Sequence, residues 1–349
     1  MHTDTEPGPI TLITQIDSRL EAQPATRTGT LTVLTGAHIG AVYMLDAIRT
    51  VLGRGDAANI ALDDDSVSRQ HACITRTGNR YELEDLGSTN GTYLAGARVT
   101  KRSPLLDGAR VRIANCVLRF ALQDKLEAEA SRRIYEMSVR DALTGVHNRR
   151  YFDERLDSEV AFAKRHGSML CVISCDIDRF KQINDQHGHP AGDMVLQRVS
   201  QVLQGALRAE DVFARCGGEE FCVIARGIDV TGARAFAERM RMLLERTVIV
   251  WQGKRLAVTV SVGIAHNRSG SFADAKSLTA GADAALYAAK REGRNRTVLA
   301  GSTGSYVEVQ PATSLAPRPR RRWDHSTAPT GPDVQPAIAA LFSRNPPAR

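Results

Sequence analysis

Residues 215–221 read Arg215-Cys216-Gly217-Gly218-Glu219-Glu220-Phe221, with apolar runs on either side at 212–216 and 220–225. Two apolar runs around a Gly-Gly pair predict antiparallel strands joined by a two-residue hairpin turn, because glycine accepts positive φ and lets a ligand approach the backbone. Side chains alternate along a strand, so Glu219 and Glu220 are expected on opposite sides, with different tasks. Upstream, the apolar stretch Met169 to Cys175 predicts a strand ending in Asp176-Ile177-Asp178. In α/β proteins ligands sit at the carboxyl ends of strands. An acidic group there, followed by Arg179-Phe180-Lys181 as a turn with free N–H groups and a lysine, suits a metal triphosphate. One carboxylate from each piece, Asp176 and Glu219, gives the shared metal site of phosphoryl-transfer chemistry.

Around these pieces strands and helices alternate from Asp141 to about Leu299. A helix is predicted from Pro190 to Ala206, with proline in its first turn. Further helices are expected over 232–246 and 279–291, and a strand over 256–265. The pattern predicts an α/β (α+β) domain with a central, mainly antiparallel sheet.

The segments Asp141 to Arg150, Asp176 to Asp193, the hairpin at 217–221, and Ala282 to Tyr287 through Lys290 to Arg296 stand in the order of the GGDEF family of diguanylate cyclases, which residues 141–299 resemble. The resemblance implies a nucleotidyl-cyclase-like fold that condenses two GTP into cyclic di-GMP and two pyrophosphates, with two domains facing each other in a homodimer. It implies Mg²⁺, or Mn²⁺, held by Asp176, Glu219 and the carbonyl of Ile177, with Glu219 or Glu220 activating the attacking 3′-hydroxyl. Lys181, Lys290, Arg294 and the N–H of Phe180 would meet the triphosphate, with Gly217 and Gly218 bordering the GTP. Asn184 and Asp193 match the guanine-reading positions; a carboxylate accepts from the N1–H and N2 amino groups that adenine does not offer. Asp193 would equally cap the helix after Pro190. Glu219 replaces the aspartate of the family name and keeps the carboxylate, and Cys216 stands where tyrosine is common. Arg208-Ala209-Glu210-Asp211 matches the family's product-inhibition site through Arg208 and Asp211, although Arg with Asp is also a simple local ion pair. A non-catalytic cyclic di-GMP receptor is the alternative, and it would need a lost metal carboxylate or a broken Gly-Gly. A third reading accepts ATP to make a mixed dinucleotide, against which Asp193 argues.

From Thr30 to about Leu122, short β-branched or apolar runs (31–34, 41–45, 72–75, 81–86, 111–113, 117–122) alternate with Gly, Asn and Asp turns, which predicts an all-β sandwich. The unusual residues sit in its loops: Gly53-Arg54, Ser68-Arg69-Gln70-His71 and Gly87-Ser88-Thr89-Asn90-Gly91-Thr92. Arginine forks onto a phosphate, serine donates to the same group and asparagine bonds a peptide backbone. This region resembles forkhead-associated (FHA) domains, which bind phosphothreonine peptides. The resemblance carries the binding role to Arg54, Ser68, Thr89 and Asn90, with Arg69 as an extra phosphate contact and His71 as a brace. A Gly-Ser-Thr-Asn-Gly string is also what a tight turn looks like.

The expected layout is a disordered start (1–28), a sandwich (29–122), a connecting helix (123–140), a cyclase-like domain (141–299) and a disordered basic, Pro-rich tail (300–349). In the helix, Leu122, Leu126, Ala130, Ile134 and Met137 form a stripe suited to pairing in a dimer. A chain of 349 residues exceeds the size of one core. Its 42% hydrophobic and 24% charged composition is that of a soluble protein. With no apolar run long enough for a membrane span and no signal-like start, a cytoplasmic protein is expected. The six cysteines lie mostly in apolar runs and read as reduced core thiols, with no metal set around Cys171 and Cys175. The net charge of +7 owes part of its size to the tail. The tail's run Arg318 to Trp323 reads as a solvated segment rather than a nucleic-acid or lipid contact. Thr3, Thr5, Thr11, Thr14, Thr26 and Thr28 are candidate phosphothreonines for the sandwich.

Overall fold

The computed structural model describes residues 27–36, 38–55, 57–208, 210–268, 272–301 and 306–309. Thr3, Thr5, Thr11, Thr14, Thr26, Ala209 and the run 318–323 lie outside them.

The first module is built from β1 (Arg27–Thr35), β2 (Val42–Met44), β3 (Arg49–Gly53), β4 (Ile60–Ala61), β5 (Ala72–Thr77), β6 (Arg80–Asp85), β7 (Thr92–Leu94), β8 (Ala97–Arg98), β9 (Ser103–Pro104), β10 (Arg110–Ile113) and β11 (Cys116–Asp124). They form two sheets of order β2-β1-β11-β10-β7-β8 and β4-β3-β5-β6-β9. Strict alternation drives the packing: in β6, Tyr81 and Leu83 are buried while Arg80 and Glu82 are exposed. Leu31, Leu52, Ile74, Leu118 and Phe120 fill the space between the sheets.

Helix α1 (Lys125–Val139) begins at Asp124, whose side chain accepts from the Leu126 N–H. Most of the expected apolar stripe is left exposed within the chain, and its first member falls in the preceding strand. Leu122 is still in β11, and Leu126, Ile134 and Met137 are 77%, 69% and 80% exposed. The helix instead turns Ala128, Tyr135 and Val139 inward, and Tyr135 packs against the cores of both modules.

The second module runs β12 (His147–Asn148), α2 (Arg149–His166), β13 (Leu170–Ile177), α3 (Phe180–His187), α4 (His189–Gln204), β14 (Val212–Arg215), β15 (Glu220–Arg226), α5 (Val230–Glu245), β16 (Ile249–Trp251), β17 (Lys254–Leu256), β18 (Val260–His266), α6 (Ala275–Arg291), β19 (Thr297–Ala300) and β20 (Tyr306–Glu308). Its sheet has order β12-β14-β15-β13-β18-β19-β20 and is mainly antiparallel, with parallel pairs at β12/β14 and β18/β19. Two expectations shift. The strand expected over 256–265 divides: Leu256 ends a separate ribbon of β17 with β16, and β18 begins at Val260. The sheet also outruns the expected boundary at 299, because Tyr306–Glu308 adds a strand beside β19.

Strand β13 is buried along its whole length. Its Cys171, Ile173, Cys175 and Ile177 face the core that includes Val195 and Leu203 of α4 and Phe236 and Met240 of α5. Leu170 and Val172 face Phe152 of α2 and Ala282 and Ala285 of α6. Helix α6 lies so close on β18 that a Cβ at Gly263 would collide with the Ala282 carbonyl and the Leu286 backbone nitrogen. Among the described residues no helix is long and apolar enough to cross a membrane, and all six cysteines are free, five of them buried.

Candidate functional site

Alternation along β13 puts Asp176 and Asp178 on the α6 side of the sheet, at the strand's carboxyl end. The register sets Asp176 directly opposite Glu220 on β15. The hairpin is wider than a two-residue turn, because the N–H groups of Cys216 (2.8 Å) and Gly217 (3.3 Å) both donate to the Glu220 carbonyl. Neither Gly217 nor Gly218 takes a positive φ. Gly218 is instead valuable for open space, since a Cβ there would meet nothing within 4 Å. Arg215 holds the turn by donating to the Gly218 carbonyl (2.6 Å) and pairs with Asp141 (3.1 Å), tying the loop before α2 to the hairpin.

Asp176 and Glu219 come near one another here, and both carboxyls are raised. Burial raises Asp176, which is 3% exposed; Lys290 pulls it down and Glu220 and Asp178 push it up. Burial and then the Asp176 charge raise Glu219. Lys290 reaches in from α6 to place its Nζ 2.7 Å from Asp176 Oδ2. A cavity of about 230 Å³ opens beside them, lined by Glu220, Lys290, Ser174, Asp283 and Cys216. Hard oxygen donors with unfavourable mutual charge suit a small divalent cation, which needs only one or two protein carboxylates beside water and phosphate. Among the described residues no group of three His, Cys, Asp or Glu gathers as a closed metal site.

Arg179 takes a left-handed conformation (φ 58°) and starts α3, whose N-terminus no side chain caps. The N–H groups from Phe180 onward therefore begin an anion-ready helix end. Lys181 and Arg294 are exposed, and Arg294 lies in the turn after α6. Asn184 meets the α3–α4 corner at a glycine that sequence reasoning passed over, Gly192 beside Asp193: a Cβ at Gly192 would collide with Asn184 Oδ1. Asp193 is exposed and lies inside α4, not at its cap. Arg208 and Asp211 do not form the simple ion pair. Asp211 Oδ2 accepts from the Arg208 N–H (2.9 Å), whereas the Arg208 guanidinium lies 3.9 Å from Glu210. Burial pushes Asp211 up to about 6.

On the sandwich the three polar loops meet at one edge. His71, fully buried, accepts at Nδ1 from the Ser68 N–H (3.0 Å), so its Nε2 donates to the Gly91 carbonyl (3.2 Å) and braces both loops. Ser68 Oγ accepts from the Thr89 N–H (3.1 Å). Arg54, Arg69 and Thr89 are exposed. Asn90 donates its amide to the Ser66 carbonyl (2.6 Å), within its own edge. Gly53 admits the Arg69 carbonyl, which a Cβ would strike. Asp85 organises the Gly87–Thr92 turn, accepting from Ser88 Oγ (2.7 Å) and Thr92 Oγ1 (2.6 Å).

The Ser68-Arg69 loop has a second end that the sequence did not flag. Asp63 lies against the other module, 2.9 Å from Arg155 Nη2 of α2 and 3.2 Å from Arg226 Nη2 of β15. Glu159 completes the group at 2.9 Å from Arg155 and 3.4 Å from Arg226. His38 lies 3.4 Å from Asp63 and meets the Tyr151 hydroxyl at 2.7 Å. Arg226 also donates to the Glu210 carbonyl (3.4 Å), beside Asp211.

The layout is that of a two-module protein, a β-sandwich joined to a mixed sheet whose central strand ends in carboxylates. Residues 138–296 match the family described as diguanylate cyclase, GGDEF domain, and residues 50–114 match the FHA domain. The chain thus carries an FHA-domain match followed by a GGDEF-domain match, together covering much of the sandwich and most of the mixed-sheet module. It is 37% identical over 170 residues to diguanylate cyclase A of Treponema denticola, covering 48% of this chain and 46% of that one. It is 39% identical over 165 residues to diguanylate cyclase DgcP of Pseudomonas aeruginosa, covering 47% and 24%. The match thus spans about half or less of the length of these relatives. Among solved structures, the coiled coil and GGDEF domain of DgcB from Caulobacter crescentus in complex with c-di-GMP is 32% identical, with a TM-score of 0.48, covering 50% of this chain and 93% of that one.

Proposed function

We propose that the chain is a diguanylate cyclase that joins two GTP into cyclic di-GMP with release of two pyrophosphates. The observation that carries this is the meeting of Asp176 at the end of β13, Glu219 and Glu220 on the neighbouring hairpin, and Lys290 from α6, beside an open Gly218. The relatives' names support it.

Asp176, Glu219 and the Ile177 carbonyl are the residues to hold Mg²⁺ or Mn²⁺. When bound, the ion supplies charge for the triphosphate and acidifies the ribose 3′-hydroxyl. The α3 N–H groups from Phe180, with Lys181, Lys290 and Arg294, grip the phosphates and offset the charge that grows during transfer. Glu219 or Glu220 takes the 3′-hydroxyl proton. Asn184 and Asp193 read guanine, and an unpaired polar group facing adenine costs about 1–3 kcal/mol. A second copy brings the other GTP, with the outward Leu126, Ile134 and Met137 face of α1 available for pairing.

Regulation follows from the remaining sites. Arg54, Ser68, Arg69 and Thr89 bind a phosphothreonine peptide, beside the Asn90 brace, and the loop that Ser68 and Arg69 share with Asp63 carries occupancy to Arg155 and Arg226. Arg208 and Asp211 bind cyclic di-GMP as inhibitor. Purified protein with GTP and Mg²⁺ should yield cyclic di-GMP, and Glu219→Ala should abolish it. A wild-type protein that makes no product at any concentration, even as Arg208→Ala, sinks the proposal.

A further inference from the structure

The segment after α6 turns through two consecutive left-handed residues that are not glycine, Arg294 (φ 65°) and Asn295 (φ 46°). Each such residue costs about 1–3 kcal/mol and persists only where its surroundings hold it. The Arg294 N–H donates to the Ala289 carbonyl (3.0 Å). From α5, Arg241 Nη1 donates to Asn295 Oδ1 (2.5 Å), and Asn295 Nδ2 donates to Glu245 Oε1 (2.7 Å). Arg241 is itself fixed on Glu238 (2.7 Å). The last tie comes from β13: the Asn295 N–H donates to Asp178 Oδ2 (3.0 Å).

Asp178 is 7% exposed, and its carboxylate also accepts from the hydroxyls of Ser261 (2.6 Å) and Thr259 (2.7 Å). Among the described residues no lysine or arginine forms an ion pair with it. A buried carboxylate held by neutral donors alone is expensive to keep, so its place calls for a return. Its oxygens are directed to β18 and to the turn, whereas Asp176, two residues earlier on the same face, meets the hairpin and Lys290. The end of β13 thus makes two ties to the segment after it, one to Lys290 and one to Asn295. Arg294 stands between them in the chain and is exposed.

We propose that Asp178 is a positioning residue for the reaction: through the Asn295 N–H it fixes the left-handed turn, and the turn fixes where the Arg294 guanidinium meets the triphosphate. The inference rests on the cyclase reading of this site and adds a residue to it.

The test is a double-mutant cycle on Asp178→Asn and Arg294→Ala in the full chain. It is read by binding of guanosine 5′-(β,γ-imido)triphosphate with Mg²⁺, by binding of GMP, and by KM and kcat for GTP. The amide keeps the shape but turns an NH₂ group toward hydroxyl and N–H donors. Each single variant should weaken the analogue about tenfold, which is about 1.4 kcal/mol. KM should rise more than kcat falls, and GMP binding should stay within about twofold, with the double variant no weaker than Arg294→Ala. Additive losses, or equal losses for analogue and GMP, overturn the proposal. If Asp178→Asn fails to fold, Asn295→Ala against Asn295→Gly asks the same question. Both lose the side-chain ties and keep the N–H, but only alanine is strained at this φ. Glycine should bind the analogue more tightly, and equal binding overturns the role. A wild type that binds the analogue yet makes no cyclic di-GMP refutes the cyclase reading, while the binding cycle still decides Asp178.

Discussion

Replacing Asp63 with alanine should loosen the contact between the sandwich and the cyclase-like domain. The side chain is 29% exposed and takes charged hydrogen bonds from Arg155 and Arg226, and its loss leaves Glu159 as the one carboxylate for two guanidiniums. Hydrogen bonds to charged groups contribute about 1.5–3 kcal/mol. The ratio of docked to undocked modules should therefore fall between about tenfold and about a hundredfold. Calorimetry reads this directly: the wild type should unfold in one transition, and Asp63→Ala should separate the modules into two or move the midpoint down. Burial opposes ionisation of Asp63, but the His38 hydrogen bond and the two arginine charges outweigh it and hold the carboxyl well below its ordinary range. A carboxyl lowered in the folded state contributes stability above its unfolded value, near 3.9, and loses it only as pH falls through the folded value. The gap between wild type and variant should stay constant from pH 7 to about 4 and close only in stronger acid. Superimposable unfolding of the two proteins, within about 0.5 kcal/mol at pH 7, would refute the reasoning.

Asp211→Asn should stabilise the fold above pH 6 by on the order of 3 kcal/mol. Burial raises the native carboxyl to about 6, so its penalty is absent in acid and grows as pH rises to that value; thermal midpoints from pH 4 to 8 check it. If Asp211 accepts from the inhibitor as proposed, inhibition by cyclic di-GMP should weaken as pH drops through 6, measured as an inhibition constant. Gly263→Ala should cost at least about 3 kcal/mol, because the new methyl strikes the α6 backbone and not a side chain that can swing away. A variant that melts like the wild type would show that α6 can retreat.

Much of the site was legible because its pieces are local. Strand β13 announces itself as an apolar run stopping at an aspartate, and the glycines and glutamates of the hairpin carry their chemistry in a few adjacent letters. The turn's geometry departs from the expectation for a physical reason: Gly-Gly signals positive φ, but here Gly217 admits the Glu220 side chain and Gly218 leaves open space. Helix α2 was missed because its inward residues, Tyr151, Phe152, Leu156 and Ala163, are diluted by charges, two of which, Arg155 and Glu159, are themselves buried as a pair. Asp63 in the run Asp63-Asp64-Asp65 reads as a solvated loop, since its partners lie far along the chain. Asp178 reads in the sequence only as a second acidic residue after Asp176, because its partners Ser261, Thr259 and Asn295 lie far along the chain. Gly192 had a readable signal in its place beside Asp193 within a helix.

Tyr135 sits in the hydrophobic layers of both modules, and this makes the chain hard to engineer by parts. A designer who wished to swap the sandwich for another sensor would find no neutral cut between 124 and 149, because any junction there divides a shared side-chain layer. The transplantable unit is the cyclase-like domain together with α1, and a new sensor would have to supply its own counterparts of His38 and Asp63 for Tyr151, Arg155 and Arg226.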